Sequence, residues 1–348
     1  MTKRSRPSKK AEAEAAMREE GLSRVAIIRC ANYDPPRVVE ALDHLIELLG
    51  GAEKNFPLEK NILLKPNLLK GAAPGKAVTT HPEVLRATIR AIKRARPVSS
   101  ISVGDSPAWG SFQSAMQGAG LAAVCEDVGA APSPFTRGVK VANPGGNVFE
   151  HLHIAREVVQ AEAIINLPKL KTHCQMYMTG AVKNMFGCVA GKRKAWWHFK
   201  AGNYKDYFPL MIAETARLIA PRLSIMDAIF AMEGQGPSAG TPRRMGLLMA
   251  SADPVALDRV AVDVAGLAPE RMRTLAAADT IGWGETNLDK IEIVGLPISE
   301  ARLTTPLVEP RMIPVGFSLP RVVKSTFKQQ WLIRVNEPTH RVSRGPLK

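Results

Sequence analysis

The densest chemistry in the sequence lies in six consecutive residues, Pro168-Lys169-Leu170-Lys171-Thr172-His173. Two lysines, a threonine and a histidine directly follow an apolar run, and Pro168 fixes the direction in which the chain leaves it. Lysines supply point charges and backbone N–H groups supply donors, so the segment reads as a cradle for a phosphate or carboxylate. Lys183-Asn184, on an expected short helix Thr179–Phe186, and the Gly187–Lys194 loop extend the same positive field. Between Ala163 and Lys205 there are eight basic residues and no carboxylate. A solvated basic loop is the common meaning of a charge run, but a stretch of this length without one acid points instead to a site that holds an anion.

Three further segments place similar groups after apolar runs: Lys65-Pro66-Asn67, Gly104-Asp105-Ser106-Pro107, and Asp227. Ligands of open α/β sheets bind beyond the carboxyl ends of strands, so these groups are expected to meet the Lys169–His173 segment at one edge. In that arrangement Lys65, Lys169, Lys171 and Lys183 hold the anion, with Thr172 beside them. Asn67, Asp105 and Asn184 orient the anion or a metal, and His173 moves a proton, with Asp105 and Asp227 as the carboxylates of the reaction. A divalent ion held by Asp105 or Asp227 and a substrate phosphate fits this chemistry, although no spacing matches a zinc or EF-hand pattern. Asp105-Ser106 reads equally as an Asx turn, and Asp258 reads as a carboxylate bordering the core.

Other motifs are weaker. Gly187-Cys-Val-Ala-Gly191-Lys192 has three residues between its glycines where a P-loop needs four, and Arg193 replaces the metal-binding hydroxyl, so nucleoside-triphosphatase chemistry is excluded. A second glycine loop, with Gly234, Gly236 and Gly240, precedes Arg243 and leads into a strand; it reads as a backbone anion contact or as a plain connection. His81 is an acid/base candidate or a helix cap. Cys174 stands beside His173 in a positive environment, which would lower its thiol pKa and make a reactive thiol conceivable, but each of the four cysteines reads first as a small apolar filler. Trp196-Trp197-His198 reads as a closing lid.

The elements that must position these groups alternate between β-branched runs and amphipathic periods, the pattern of an α/β fold with a mostly parallel sheet flanked by helices. Strands are expected at 24–29, 61–65, 100–103, 163–167, 223–226, 245–250 and 291–294, and helices at 37–49, 82–96, 208–219, 254–265 and 270–280. Thr80 and Glu83 form a capping-box pair around Pro82, and Asp253 caps the helix at Pro254. The expected organisation is a basic tail at 1–21, an α/β core at 22–300 and a basic C-terminal extension at 301–348.

The formal net charge is +15, and it is concentrated. Apart from the acid-free segment, Arg302–Lys348 carries nine basic against two acidic residues, and most of the remaining chain is close to neutral. No apolar run approaches the roughly 18 residues of a membrane span, residues 1–21 lack the apolar stretch of a secretory signal, and four cysteines point to a reducing compartment. A cytoplasmic location is expected. Val323, Phe327 and Trp331 recur every four residues among basic groups, as a helix docked on the body or lying on a membrane surface.

Several motifs together resemble the family called domain of unknown function 362. These are Lys65-Pro66-Asn67-Leu68, Thr80-His81-Pro82-Glu83, Gly104-Asp105-Ser106-Pro107, Pro168 to His173, Thr179-Gly180-Ala181-Val182-Lys183-Asn184 with Phe186-Gly187, Gly236 to Gly240, and Asp253 to Asp258, in order over about residues 24–295. The resemblance implies redox surroundings, because members often carry a C-terminal ferredoxin-type module with 4Fe–4S clusters. Here Arg302–Lys348 stands where such a module would attach and contains no cysteine, and no C-x₂-C-x₂-C-x₃-C run occurs, so a cluster is not expected from this chain alone. Electron transfer would need a separate ferredoxin-like partner. The expectation is an enzyme-like protein binding a small anionic ligand, its reaction and cofactor unknown. The alternatives are a non-catalytic accessory of an iron–sulfur system and, less favoured given 5% aromatic content, an RNA-binding protein acting through its basic extension.

Overall fold

Apolar runs such as Ile62-Leu63-Leu64 are hydrophobic at every position because both faces of their sheet are covered. Alternate residues belong to different layers: Ile62 and Leu64 pack in one core and Leu63 in the other. The computed structural model describes residues 22–56, 61–97, 100–190 and 206–314. Residues 1–21, the Trp196-Trp197-His198 cluster, the basic residues Lys192 to Lys205, and the helix expected around Val323–Trp331 lie outside them.

The main sheet runs in the order β12-β1-β11-β10-β7-β2-β3-β4. These are Ile291–Gly295, Ser23–Arg29, Thr241–Ser251, Leu223–Glu233, Ala163–Leu167, Asn61–Pro66, Ser100–Asp105 and Ala131–Pro134. Along this path β11 alone runs against its neighbours, because it returns from β10 through the hairpin that holds Gly234–Gly240. All other pairs are parallel, so the carboxyl ends of β2, β3 and β7 open on one edge. One face is covered by helices Pro35–Leu48, Pro82–Ala95 and Phe112–Val128, the last broken at Ala119–Gly120, and the other by Tyr207–Ile219, Pro254–Val264 and Arg273–Thr280. The α/β fold with a mostly parallel sheet is therefore present as expected.

Four local readings differ from the sequence expectation. Lys169–His173 is a strand, β8, not a loop after one; it pairs in parallel with β10 and antiparallel with β9, Tyr177–Thr179. The expected helix Thr179–Phe186 is a single turn at Ala181–Asn184 followed by a 3₁₀ turn. Asp227 lies within β10, which continues to Glu233. Thr80 does not cap the helix at Pro82: its hydroxyl donates to the Leu167 carbonyl at 2.6 Å, and the cap is His81, whose Nδ1 accepts from the Glu83 N–H at 3.2 Å. The small antiparallel pair β5 (Gly138–Ala142) and β6 (His151–Ala155) and the Pro-containing β4 carried too little periodicity to be expected, and β4 tolerates its prolines because it is an edge strand.

Glu214, fully buried on the helix Tyr207–Ile219, fixes the loop between β5 and β6. Its carboxylate accepts from the Asn143 amide at 2.6 Å and from the N–H groups of Asn147, Val148 and Phe149 at 2.9, 3.0 and 3.3 Å. Glu214→Ala leaves these donors buried without an acceptor and should destabilise the protein by about 3 kcal/mol or more in urea unfolding; a loss below about 1 kcal/mol would show that the loop finds other acceptors.

Candidate functional site

The site grows from a change of neighbour along one chain segment. β7 pairs with the start of β10 through Leu223 and Ser224, then Pro168 interrupts the ladder, and β8 resumes beside the later part of β10 at Asp227 and Met232. The Pro168 carbonyl still accepts from the Asp227 N–H at 2.9 Å, so the segment bends without leaving the sheet. Lys169 and Lys171 are two residues apart on β8 and project on the same side, toward the loop 67–81. Both are 1% exposed, and Lys65 at the end of β2 is completely buried.

Two of the three buried lysines are paired with carboxylates. Lys65 Nζ lies 2.8 Å from Asp105 and donates to the Pro66 carbonyl at 2.7 Å and to Asn184 Oδ1 at 3.3 Å. Asp105 also accepts from the Leu68 and Ser106 N–H groups, at 2.9 and 2.7 Å, so the Asx-turn role and the ion pair coexist. A Cβ on Gly187 would sit 2.4 Å from Asp105 and 2.5 Å from Lys65, so only glycine lets the chain close over this pair. The amides continue the network: Asn184 donates to Asn166 Oδ1 at 2.8 Å and accepts from Asn67 at 3.0 Å, and Asn166 donates to the Ala181 carbonyl and Ser224.

The second pair is Lys169 with Asp227, at 2.9 Å. Tyr33 completes it, donating to Asp227 at 2.8 Å and accepting from Lys169 at 2.7 Å, while Asp227 also accepts from the His81 N–H at 2.9 Å. The Tyr33 and His81 rings stack at 3.4 Å and 3°. Burial, with the Asp227 charge beside it, raises the Tyr33 hydroxyl pKa, and burial lowers that of His81 to about 4. His81 is therefore a neutral packing and capping residue near pH 7. Burial pulls the Lys169 amine below its usual range, opposed by Asp227.

Lys171 differs from its neighbours. Its Nζ donates to Asn67 Oδ1 at 2.8 Å and to the Val78 carbonyl at 2.6 Å, and no carboxylate among the described residues lies within ion-pair distance. Burial holds its pKa well below the ordinary lysine value, and the charges of Lys183, Lys169 and Lys65 push it further down against Asp105. Lys183, half-buried on the turn Ala181–Asn184, is the nearest cation in effect.

The remaining expected residues border this centre. His173 is buried, and its Nδ1 accepts from the Gln175 and Met176 N–H groups at 3.1 and 3.3 Å, which commits that nitrogen to the turn. Thr172 projects away from Lys171 and donates to the Gly234 and Met232 carbonyls at 2.8 and 3.2 Å. Gly236 packs so closely on β8 that a Cβ there would lie 2.0 Å from the Thr172 carbonyl, which puts the glycine loop with Gly234 and Gly240 at the end of the strand. Arg243 is half-buried on β11 opposite Ala231. The Cys174 thiol pKa is raised by burial, not lowered, because desolvation outweighs the field of Lys183. Among the described residues no three His, Cys, Asp or Glu side chains converge as metal ligands.

Sequence reasoning missed Tyr33 and Asn166. Tyr33 had a signal, since Asn32-Tyr33-Asp34-Pro35 is another polar turn directly after a strand. Asn166 is an amide within an otherwise apolar strand, where a buried polar group requires partners.

A family model described as Domain of unknown function (DUF362) matches residues 62–263. A thylakoid-associated protein of Synechocystis sp. is 39% identical over 330 residues, covering 91% of this chain and 97% of its own. Among solved structures, the lactate racemase apoprotein from Thermoanaerobacterium thermosaccharolyticum aligns with a TM-score of 0.46 and 12% identity, over 72% of this chain and 58% of its own. A crystal structure of a Thermotoga maritima protein aligns with a TM-score of 0.36 and 10% identity, over 65% and 57%.

Asp258 gives the site a pH-dependent support. Its carboxyl accepts from the Ala181 and Val182 N–H groups, at 2.5 and 3.1 Å, and so holds the turn that carries Lys183 and Asn184. Complete burial raises its pKa to about 7. The folded value exceeds the unfolded one, so this group's contribution to stability is full below about pH 4 and is lost as pH rises through about 7. Relative to Asp258→Asn, which does not titrate, the wild type should lose up to about 4 kcal/mol between those pH values in urea unfolding. A difference that stays constant across the range would refute the shift.

Proposed function

The chain belongs to the domain of unknown function 362 family, and we propose that it is an enzyme-like protein binding a small anionic ligand, phosphorylated or carboxylated, at the carboxyl edge of its sheet. The observation that carries this reading is the contrast among the buried lysines. Lys65 and Lys169 are neutralised by Asp105 and Asp227, whereas Lys171 has no carboxylate within ion-pair distance among the described residues and faces a second cation, Lys183. Excluding the Lys171 amine from water beside a second cation is unfavourable, and an anion between them reverses the sign of that interaction.

In this reading Lys171 and Lys183 contact the anion, and Asn67 and Asn184 orient it. Lys65–Asp105 and Lys169–Asp227–Tyr33 are positioning pairs that hold the loop 67–81 and β8 in place. His173, with Nδ1 committed to the turn, moves a proton at Nε2. A divalent ion at Asp105 or Asp227 would have to displace a lysine or a backbone donor, so Lys65 and Lys169 stand where a metal would be. The glycine loop with Arg243 forms the rim. A cytoplasmic location goes with this reading, and thylakoid association, as named for the Synechocystis relative, is its competitor.

Inorganic phosphate should raise the wild-type melting temperature by a few degrees, since roughly a hundredfold excess over Kd stabilises by about 2.7 kcal/mol. Lys171→Ala and Lys183→Ala should each lose most of that shift, while Lys290→Ala, exposed at the start of β12 and so at the opposite end of the strands, should keep it. Shifts equal to wild type in both site variants would contradict the reading.

A further inference from the structure

Three threonine hydroxyls among the described residues are buried without a hydrogen-bond partner: Thr79, Thr179 and Thr274. The first two flank Lys171. Thr79 follows Val78, whose carbonyl accepts from Lys171 Nζ at 2.6 Å. Thr179 on β9 is the cross-strand partner of Lys171 on β8, and directly opposed residues place their side chains on the same face. They are 1% and 2% exposed. Thr80 and Thr172 close by donate at 2.6 and 2.8 Å, so threonine hydroxyls in this region otherwise find acceptors.

The amine between them is also incompletely used. An uncharged lysine has two N–H bonds and a lone pair; Asn67 Oδ1 and Val78 O take two hydrogens. Lys171 Nζ makes no further hydrogen bond among the described residues. The charged groups facing it are Lys183 from the turn after β9, Lys169 on its own strand, Lys65 from β2 and Asp105 from the end of β3. Lys65 and Lys169 are each held by their carboxylate, and Lys183 exerts the largest of the cationic effects on Lys171.

We propose that Lys171, Thr79 and Thr179 form the inner end of the anion site, and that an oxyanion enters it together with one proton, which the Lys171 amine takes up from solvent. This rests on the anion-binding reading above and adds the identity of the inner donors and the proton stoichiometry. The two hydroxyls and the new N–H then all donate to the oxyanion, and the bound form carries an ammonium paired with an anion in place of a bare amine beside Lys183. Desolvation and Lys183 favour the uncharged amine before binding, and the anion favours the ammonium after it.

Sulfate is the probe, because it carries no titrating proton of its own near neutrality. Isothermal titration at about pH 7.5 in buffers of different ionisation enthalpy should give a heat that changes linearly with that enthalpy, with a slope of about one proton taken up. Sulfate affinity should fall by up to about tenfold per pH unit as pH rises. Lys171→Met should abolish the slope, and if that variant does not fold the wild-type slope decides alone. The double variant Thr79→Val, Thr179→Val should keep the slope and lose about tenfold or more in affinity. Sulfate binding with zero proton uptake in the wild type overturns the proton coupling while leaving the anion site standing. Wild-type affinity in the threonine double variant overturns the inner donors, and no sulfate binding removes this inference together with the anion site.

Discussion

Three lysine amines are buried side by side at the carboxyl ends of neighbouring strands, and most of the surrounding structure answers to the cost of keeping them there. Removing an ammonium from water costs several kcal/mol unless a counter-charge and well-placed acceptors replace the lost hydration. Asp105 at the end of β3 and Asp227 within β10 supply two counter-charges. Their positions in turn fix the loop 67–81, because Leu68, Ser106 and His81 donate their backbone N–H groups to the same carboxylates. Among the described residues the third amine has carbonyl-type acceptors only, and that asymmetry is what the proposed anion site is built on.

The sheet makes this packing possible through the interruption at Pro168. Pro168 interrupts the β7–β10 ladder, β8 resumes it in the same register with Lys169 opposite Asp227, and the register then shifts so that Lys171 lies opposite Met232, further toward the edge. Gly187 then closes over the Lys65–Asp105 pair and Gly236 over the Thr172 carbonyl, each at a spacing that no Cβ would allow. The beginning of the C-terminal extension runs along the same edge: Val308 bonds to Gly234 and Glu233, Arg311 to Gln235, and Ile313 to Cys174. The glycine loop is thus tied to residues 308–313.

Much of the fold was legible because parallel strands covered on both faces read as unbroken apolar runs, and helices such as Pro82–Ala95 carry a clean amphipathic period. The Lys169–His173 strand was not legible, because its polar residues imitate a loop: Lys169, Lys171 and Thr172 all find buried partners, which composition alone does not reveal. For the same reason the sequence grouped Lys65, Lys169, Lys171 and Lys183 as equivalent cations, whereas geometry separates two paired amines from one unpaired one. The partners that make the distinction come from distant segments, Asp105 at 40 residues and Tyr33 at 136 residues' separation from the lysines they bind. Cys174 shows the limit of reading charge without burial, since its basic neighbours alone would lower the thiol pKa and desolvation raises it instead.

The central claim is that Lys171 is the buried amine left for a ligand while its neighbours are held by carboxylates. A crystal structure grown or soaked with sulfate tests it most directly. The account predicts oxyanion density within hydrogen-bond reach of Lys171 Nζ and on the side facing Lys183, with the Lys65–Asp105 and Lys169–Asp227 pairs intact. Density confined to Lys65 or Lys169 with their carboxylates displaced, or a carboxylate of this chain paired with Lys171 in place of the anion, would contradict it.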